Sequence, residues 1–216
     1  MLGRILALAP VPWVGVGRRR IIALVGIDGS GKTTLAKDVA RWLTAHGVPS
    51  DYFLNPGGRV AIDRFARRLG RTDGRALLGR RLFAAVEAGT RWLAIAKALL
   101  LSRLTGRLAV MDRYSFCEYA SLRARGEPGE GWVRRFYRLF PNPDATFFAL
   151  VPPEVAHQRI AVRGYDWESV AYLSALDSAY RSLPEFAGFE MLDADAPLEE
   201  VKRRLRAAVG RAAAAL

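Results

Sequence analysis

The chain has 216 residues, 51% hydrophobic and 25% charged, a balance that excludes a wholly disordered or fibrous protein and suits one domain with an inserted lid. The single cysteine, Cys117, excludes an internal disulfide framework and points to a reducing, cytoplasmic setting, while two lone histidines, His46 and His157, offer no zinc cluster. The net charge of +12 rests on 33 basic residues, all arginine but Lys32, Lys37, Lys97 and Lys202, and the forked guanidinium suits phosphate. No zinc finger, RNA-binding signature or interleaved aromatic and basic platform accompanies them, which argues against nucleic acid as the ligand.

Residues 1–20 read as an apolar and basic tail: Ile5 to Gly17 holds no charge, and Arg18, Arg19 and Arg20 follow. Pro10 and Pro12 interrupt the apolar run and no small-residue cleavage site precedes the arginines, so a secretion signal is not expected. The run is also short of the ~20 residues a membrane-spanning helix needs. A tail packed on the domain surface is the expectation, with contact to a membrane surface as the alternative.

Residues 21–216 read as a single domain in which short apolar runs alternate with amphipathic stretches. Ile21 to Val25 is a strand buried on both faces, Thr34 to Ala45 a helix stopped by Gly47, and Tyr52-Phe53-Leu54 a short strand before the loop Asn55-Pro56-Gly57-Gly58. Residues 59–81 hold eight arginines against Asp63 and Asp73. A long helix is predicted over 76–105; Glu87, Arg91 and Lys97 break its apolar character and mark it as a core helix. Leu108 to Met111 is the next strand, 146–151 another, and Pro152-Pro153 opens a helix through Val162. Helices over 167–183 and 197–214 flank a last strand at 189–192. The alternation implies an α/β fold, a parallel sheet with helices on both faces.

Three groups of residues carry chemistry. Gly26-Ile27-Asp28-Gly29-Ser30-Gly31-Lys32-Thr33-Thr34 fits the phosphate-loop pattern and lies between a buried strand and a helix, as its mechanism requires. Backbone N–H groups of the glycines and the helix terminus would cradle phosphates, Lys32 would reach the β- and γ-phosphates, and Thr33 would ligate Mg²⁺. Asp112, at the carboxyl end of a strand and followed by Arg113-Tyr114, is placed to hold Mg²⁺ or its water. Arg159 and Arg163 share one helix face ahead of Gly164, an arrangement that suits a lid bringing positive charge to a transferring phosphoryl group.

Together these residues resemble the thymidylate kinase family of P-loop nucleoside monophosphate kinases, from about Ile21 to about Arg206. The resemblance includes the phosphate loop, Pro56-Gly57-Gly58, Leu82-Phe83-Ala84-Ala85, Asp112-Arg113-Tyr114, Pro153 to Gly164, and Leu192-Asp193-Ala194 with Pro197 to Val201. It implies a P-loop kinase fold, a five-stranded parallel sheet sandwiched by helices, with a short helical lid at about 159–170. It also implies transfer of the ATP γ-phosphate, with Mg²⁺, to a small-molecule monophosphate. Lys32, Arg113 and Arg163 would be catalytic, and Asp28 through Thr34 with Arg159 would hold the nucleotide. Arg113 would grip the acceptor phosphate with Arg64 as a second ligand, Phe83 would stack on the base, Asp28 would lie near the acceptor sugar, and the loop from Asp193 to Pro197 would border adenine.

The departures fall on the acceptor side. Val86-Glu87 stands where the family has Asp-Arg, whose arginine meets the thymine edge; Cys117 and Ser121 replace a serine and a tyrosine, and Leu54-Asn55 replaces Arg-Glu. The lid's acidic pair is compressed to Asp166-Trp167-Glu168. Glu87 at a substrate-binding position would repel a thymine carbonyl, so dTMP is expected to be a poor acceptor. A sugar or glycan acceptor and a non-catalytic nucleotide-binding regulator are the alternatives, and a homodimer is among the assemblies the family resemblance allows.

Overall fold

Ile21–Val25 (β1) is apolar at every position, and the fold buries every one: Ile21, Ala23 and Val25 enter one hydrophobic cluster, Ile22 and Leu24 the other. Two-sided burial places β1 at the centre of a five-stranded, all-parallel sheet ordered β2-β3-β1-β4-β5, with β2 at Ser50–Leu54, β3 at Leu108–Asp112, β4 at Ala145–Leu150 and β5 at Glu190–Asp193. In register, Leu24 lies between Asp112 of β3 and Phe147 of β4. This computed structural model describes residues 21–56, 59–164 and 168–214. The expected tail (1–20), Gly57-Gly58 and the Asp166-Trp167 part of the lid lie outside the described residues.

Helices cover both faces. On one, α1 (Lys32–Ala45) and α8 (Leu198–Ala214) pack Leu35, Val39, Leu43, Val201 and Leu205 against Ile22, Leu24 and Phe147. On the other lie α3 (Gly74–Thr105), α4 (Ser115–Ala124) and α7 (Val170–Arg181), through Ile95, Phe116, Ala120, Leu173 and Tyr180. Each large aliphatic side chain so buried contributes about 1.5–3 kcal/mol. Two shorter helices, α2 (Arg59–Arg68) and α5 (Glu130–Tyr137), lead into α3 and out of α4, and α6 (Pro153–Arg163) follows β4.

Expected and observed boundaries agree closely where the caps are local. α3 begins at Gly74, two residues before the expected start, because the Asp73 carboxylate accepts the Ala76 N–H at 2.8 Å, and it ends at Gly106 with φ 66°. It is kinked at Gly79, and it is a core helix on one side only: Ile95 and Ala98 are buried while Leu93, Leu100 and Leu104 face outward. Gly164, with φ 75°, ends α6 as expected. Among the described residues no helix is long and apolar enough to cross a membrane.

The topology creates the site. From β1 the chain turns toward β2, and from β3 it crosses to β4 on the far side of β1. The carboxyl ends of β1 and β3 therefore open a crevice at the strand-order reversal, the place where open α/β sheets bind ligands.

Candidate active site

The turn after β1 is built from glycines that cannot be replaced without collision. Gly26 has φ 135°, and a side chain there would meet the Ala149 carbonyl oxygen at 2.8 Å; Gly29 has φ 84°, and a Cβ would lie 2.3 Å from the Ala156 carbonyl oxygen. Gly31, at φ 85°, caps the N-terminus of α1. The Lys32 side chain folds back over this loop at 5% exposure, donating to the Ile27 carbonyl at 2.5 Å and to Ser30 Oγ at 3.3 Å. Burial lowers the Lys32 ammonium below its usual range, with Asp28, 3.8 Å away, opposing the shift. Thr33 and Thr34 follow on the exposed side of the first turn of α1.

Across the crevice, Asp112 ends β3 at 1% exposure. Its Oδ2 accepts from Thr33 Oγ1 at 2.5 Å and from Tyr52 OH at 3.1 Å, while its Oδ1 is buried with no partner among the described residues. A hydroxyl and an unmatched carboxylate oxygen side by side are the hard oxygen donors Mg²⁺ requires, so Thr33 and Asp112 fit that ion. Burial and the Asp112 charge push the Tyr52 phenol up to about 12, which keeps it a donor at neutral pH. Sequence reasoning passed over Tyr52; its outward alternation with Phe53 along β2 is the only signal that could have found it.

Arg113 follows at once and is the one described non-glycine residue at positive φ, 75°, a conformation that costs about 1–3 kcal/mol. The strained backbone turns its guanidinium onto the loop, where it donates to Asp28 Oδ1. Asp28 holds the Arg113 guanidinium above its usual range. Burial alone would raise Asp28, but Arg113, Lys32, Arg91 and Arg163 outweigh it and leave the carboxyl lowered. The expected catalytic residues Lys32, Arg113 and Arg163 thus converge electrostatically on one carboxylate.

Both arginines of α6 stand on a helix fixed to the sheet: Ala156 and Ile160 are buried, and Ala156 touches Gly29 backbone to backbone. Arg159 donates to the Ala194 carbonyl at 3.0 Å and to Asp195 Oδ1 at 3.3 Å, inside the loop expected to border adenine. Arg163 is exposed, its Nε 3.4 Å from the Arg159 carbonyl. His157 contacts the Glu168 carbonyl at 2.7 Å and ties α6 to the start of α7.

A cleft of about 360 Å³ is lined by Asp63, Asp73, Arg75, Phe83, Arg125, Glu168, Ser169 and Tyr172. Arg75 lies over the Phe83 ring at 5.6 Å and Arg125 over the Tyr172 ring at 5.7 Å. Phe83, expected to stack on a base, is 1% exposed, with its ring beneath Arg75. Arg64 is exposed on α2, apart from the lining residues.

Glu87 does not stand free. At 2% exposure it accepts from Arg91 Nη2 at 3.1 Å through one oxygen and from Arg125 Nη1 at 3.0 Å through the other. Burial raises its carboxyl, but the two guanidiniums win and hold it lowered. Behind it, Arg91 Nε lies 2.8 Å from Glu118 Oε2 without hydrogen-bond alignment, and Glu118 is pushed up to about 7 by burial. Asn55 is 1% exposed, with neither amide atom partnered among the described residues. Arg91 stands one helical turn after Glu87, a spacing visible in sequence, whereas Arg125 and Glu118 come from α4 and carry no local signal.

A family model described as thymidylate kinase matches residues 24–205, from the end of β1 into the first half of α8. The chain belongs to the thymidylate kinase family. It is 30% identical to the probable thymidylate kinase of Methanosarcina mazei over 87% of this chain and 94% of that protein. It is 29% identical to that of Archaeoglobus fulgidus over 86% and 92%, and 34% identical to the thymidylate kinase of Chromobacterium violaceum over 68% and 69%. This thymidylate kinase family member is an ATP-dependent phosphotransferase of the nucleoside monophosphate kinase type, acting on a small-molecule acceptor, as its loop and strand-end residues lead one to expect.

Proposed function

We propose that the chain, as one catalytic domain in the cytoplasm, transfers the γ-phosphate of Mg²⁺-bound ATP to the phosphate of a nucleoside monophosphate whose pyrimidine carries a 4-carbonyl, dTMP first among them. The observation that carries this reading is the Asp28 bridge: one loop carboxylate positions Arg113, at the acceptor side, beside Lys32, at the ATP side. An acceptor phosphate oxygen attacks Pγ, the bond from Pγ to the β-phosphate oxygen breaks, and ADP leaves with the electron pair. The acceptor phosphate is already ionised at neutral pH, so the step needs placement and charge more than a base.

Lys32 would leave the Ile27 carbonyl for the phosphates, Arg113 would hold the acceptor, and Arg163 would reach the transferring group. Thr33 and Asp112 would hold Mg²⁺, which when bound neutralises charge growing on the phosphate oxygens. The expectation that dTMP is disfavoured rested on a free Glu87 carboxylate. Both Glu87 oxygens are bound by arginine, which weakens that objection, and the names of the relatives favour dTMP.

A coupled ADP-release assay with ATP, Mg²⁺ and dTMP tests the proposal. Wild type should turn over with dTMP, and Lys32→Ala should lose at least about 10²-fold in kcat while keeping its circular dichroism and melting temperature. A folded Lys32→Ala protein with undiminished turnover would overturn it.

A further inference from the structure

The cleft holds a second arginine arrangement that the phosphate chemistry does not use. Arg125, the C-cap of α4, lines the cleft at 11% side-chain exposure, over the Tyr172 ring. Its Nη1 is fixed on Glu87, and Glu87 is fixed in turn by Arg91. A guanidinium has five N–H donors, and Glu87 takes one.

Two features decide what the remaining donors meet. Phe83, 1% exposed beneath Arg75, and Tyr172, beneath Arg125, give the cleft flat ring-and-guanidinium walls that suit a planar ring. Its other walls carry Asp63, Asp73 and Glu168, and Glu87 already neutralises Arg125, so a further phosphate is opposed where a neutral carbonyl is not. A donor fixed in the cleft wall discriminates, because an amino group in the carbonyl's place leaves two donors facing each other.

We infer that Arg125 is the specificity-determining residue of the acceptor cleft, donating to a ring carbonyl of the acceptor base, and that Glu87 is a positioning residue that aims it. Recognition has moved from the helix α3 position to α4: a carboxylate stands where relatives carry the reading arginine, and it holds an arginine supplied from across the cleft. The inference rests on the proposed pyrimidine acceptor.

The experiment compares dTMP with 5-methyl-dCMP, which bears a 4-amino group for the 4-carbonyl and an unprotonated N3 for the N3–H. Wild type should prefer dTMP by about 10²-fold or more in kcat/KM. Arg125→Met should cut that preference by about 10- to 100-fold with the KM for ATP unchanged, and Arg125→Lys should restore part of it. Glu87→Gln should raise the KM for dTMP more than it lowers kcat, and it carries the test if Arg125→Met does not fold. Equal losses on both nucleotides, or an unchanged preference in an enzyme active on dTMP, overturn the role of Arg125 and leave the proposed reaction standing. Wild type inactive on both pyrimidines overturns the acceptor class and this inference with it.

Discussion

Glu118→Gln should make the protein's stability less dependent on pH. Glu118 is 2% exposed and shares one guanidinium, Arg91, with Glu87; the Arg91 approach of 2.8 Å is not aligned for a hydrogen bond. Both partners are raised, which favours the neutral form of Glu118 and the charged form of Arg91. Burial pushes the Glu118 carboxyl from 4.5 to about 7, while Arg91, despite its own burial, is raised by Glu118 and held more firmly charged, so the cost falls on the carboxylate. Because the folded state binds this proton more tightly than the unfolded one, the stabilisation is complete below about pH 4.5 and is lost as pH rises through about 7. Between pH 5.5 and 8 the loss comes to about 2 kcal/mol, taking 1.36 kcal/mol per unit. Glutamine has no proton to lose, so the variant should gain about 2 kcal/mol on wild type across that interval. Urea unfolding of both proteins at pH 5.5 and 8 measures the difference. A gap between them that stays constant with pH would refute the argument.

Arg163→Ala should lower kcat more than it weakens ATP binding, since its contact strengthens as charge builds on the transferring group; a rise in KM for ATP at unchanged kcat would make it a ground-state clamp. Gly29→Ala should lose at least about 2 kcal/mol, a fall in melting temperature of about 5 °C or more, because positive φ and the Ala156 carbonyl both oppose a Cβ. A melting curve unchanged from wild type would show that the loop relaxes.

What could be read from the sequence was local. The strand of Ile21–Val25, the loop behind it and α1 are adjacent in the chain and each carries its own pattern, so they could be placed from sequence alone. α4 showed no periodicity because Ser115 to Leu122 are all buried, leaving no polar face to contrast with an apolar one. α5 gives a mixed signal: Tyr137 and Val133 pack into the core while Trp132 and Phe136 are exposed, so its apolar residues do not all mark one buried face. α2 was hidden among the arginines of 59–81, of which Arg64, Arg67, Arg68, Arg71, Arg75 and Arg81 are exposed and Arg75 is among the cleft's lining residues. Glu87 shows the limit most clearly. Its position was legible, but its partners lie one turn away and on another helix, and those partners decide whether its charge meets a ligand.

The backbone contact between Gly29 and Ala156 governs how the enzyme closes. With no side chain between them, the phosphate loop and the first half of α6 form one rigid seam with the sheet, and Arg159 and Arg163 stand one and two turns beyond it. A helix so joined cannot swing as a gate without tearing the loop. In the proposed reaction, the movement this leaves to the Arg163 guanidinium is rotation about its own side-chain bonds, on the ps–ns scale of exposed rotamers rather than the μs–ms scale of hinged domains.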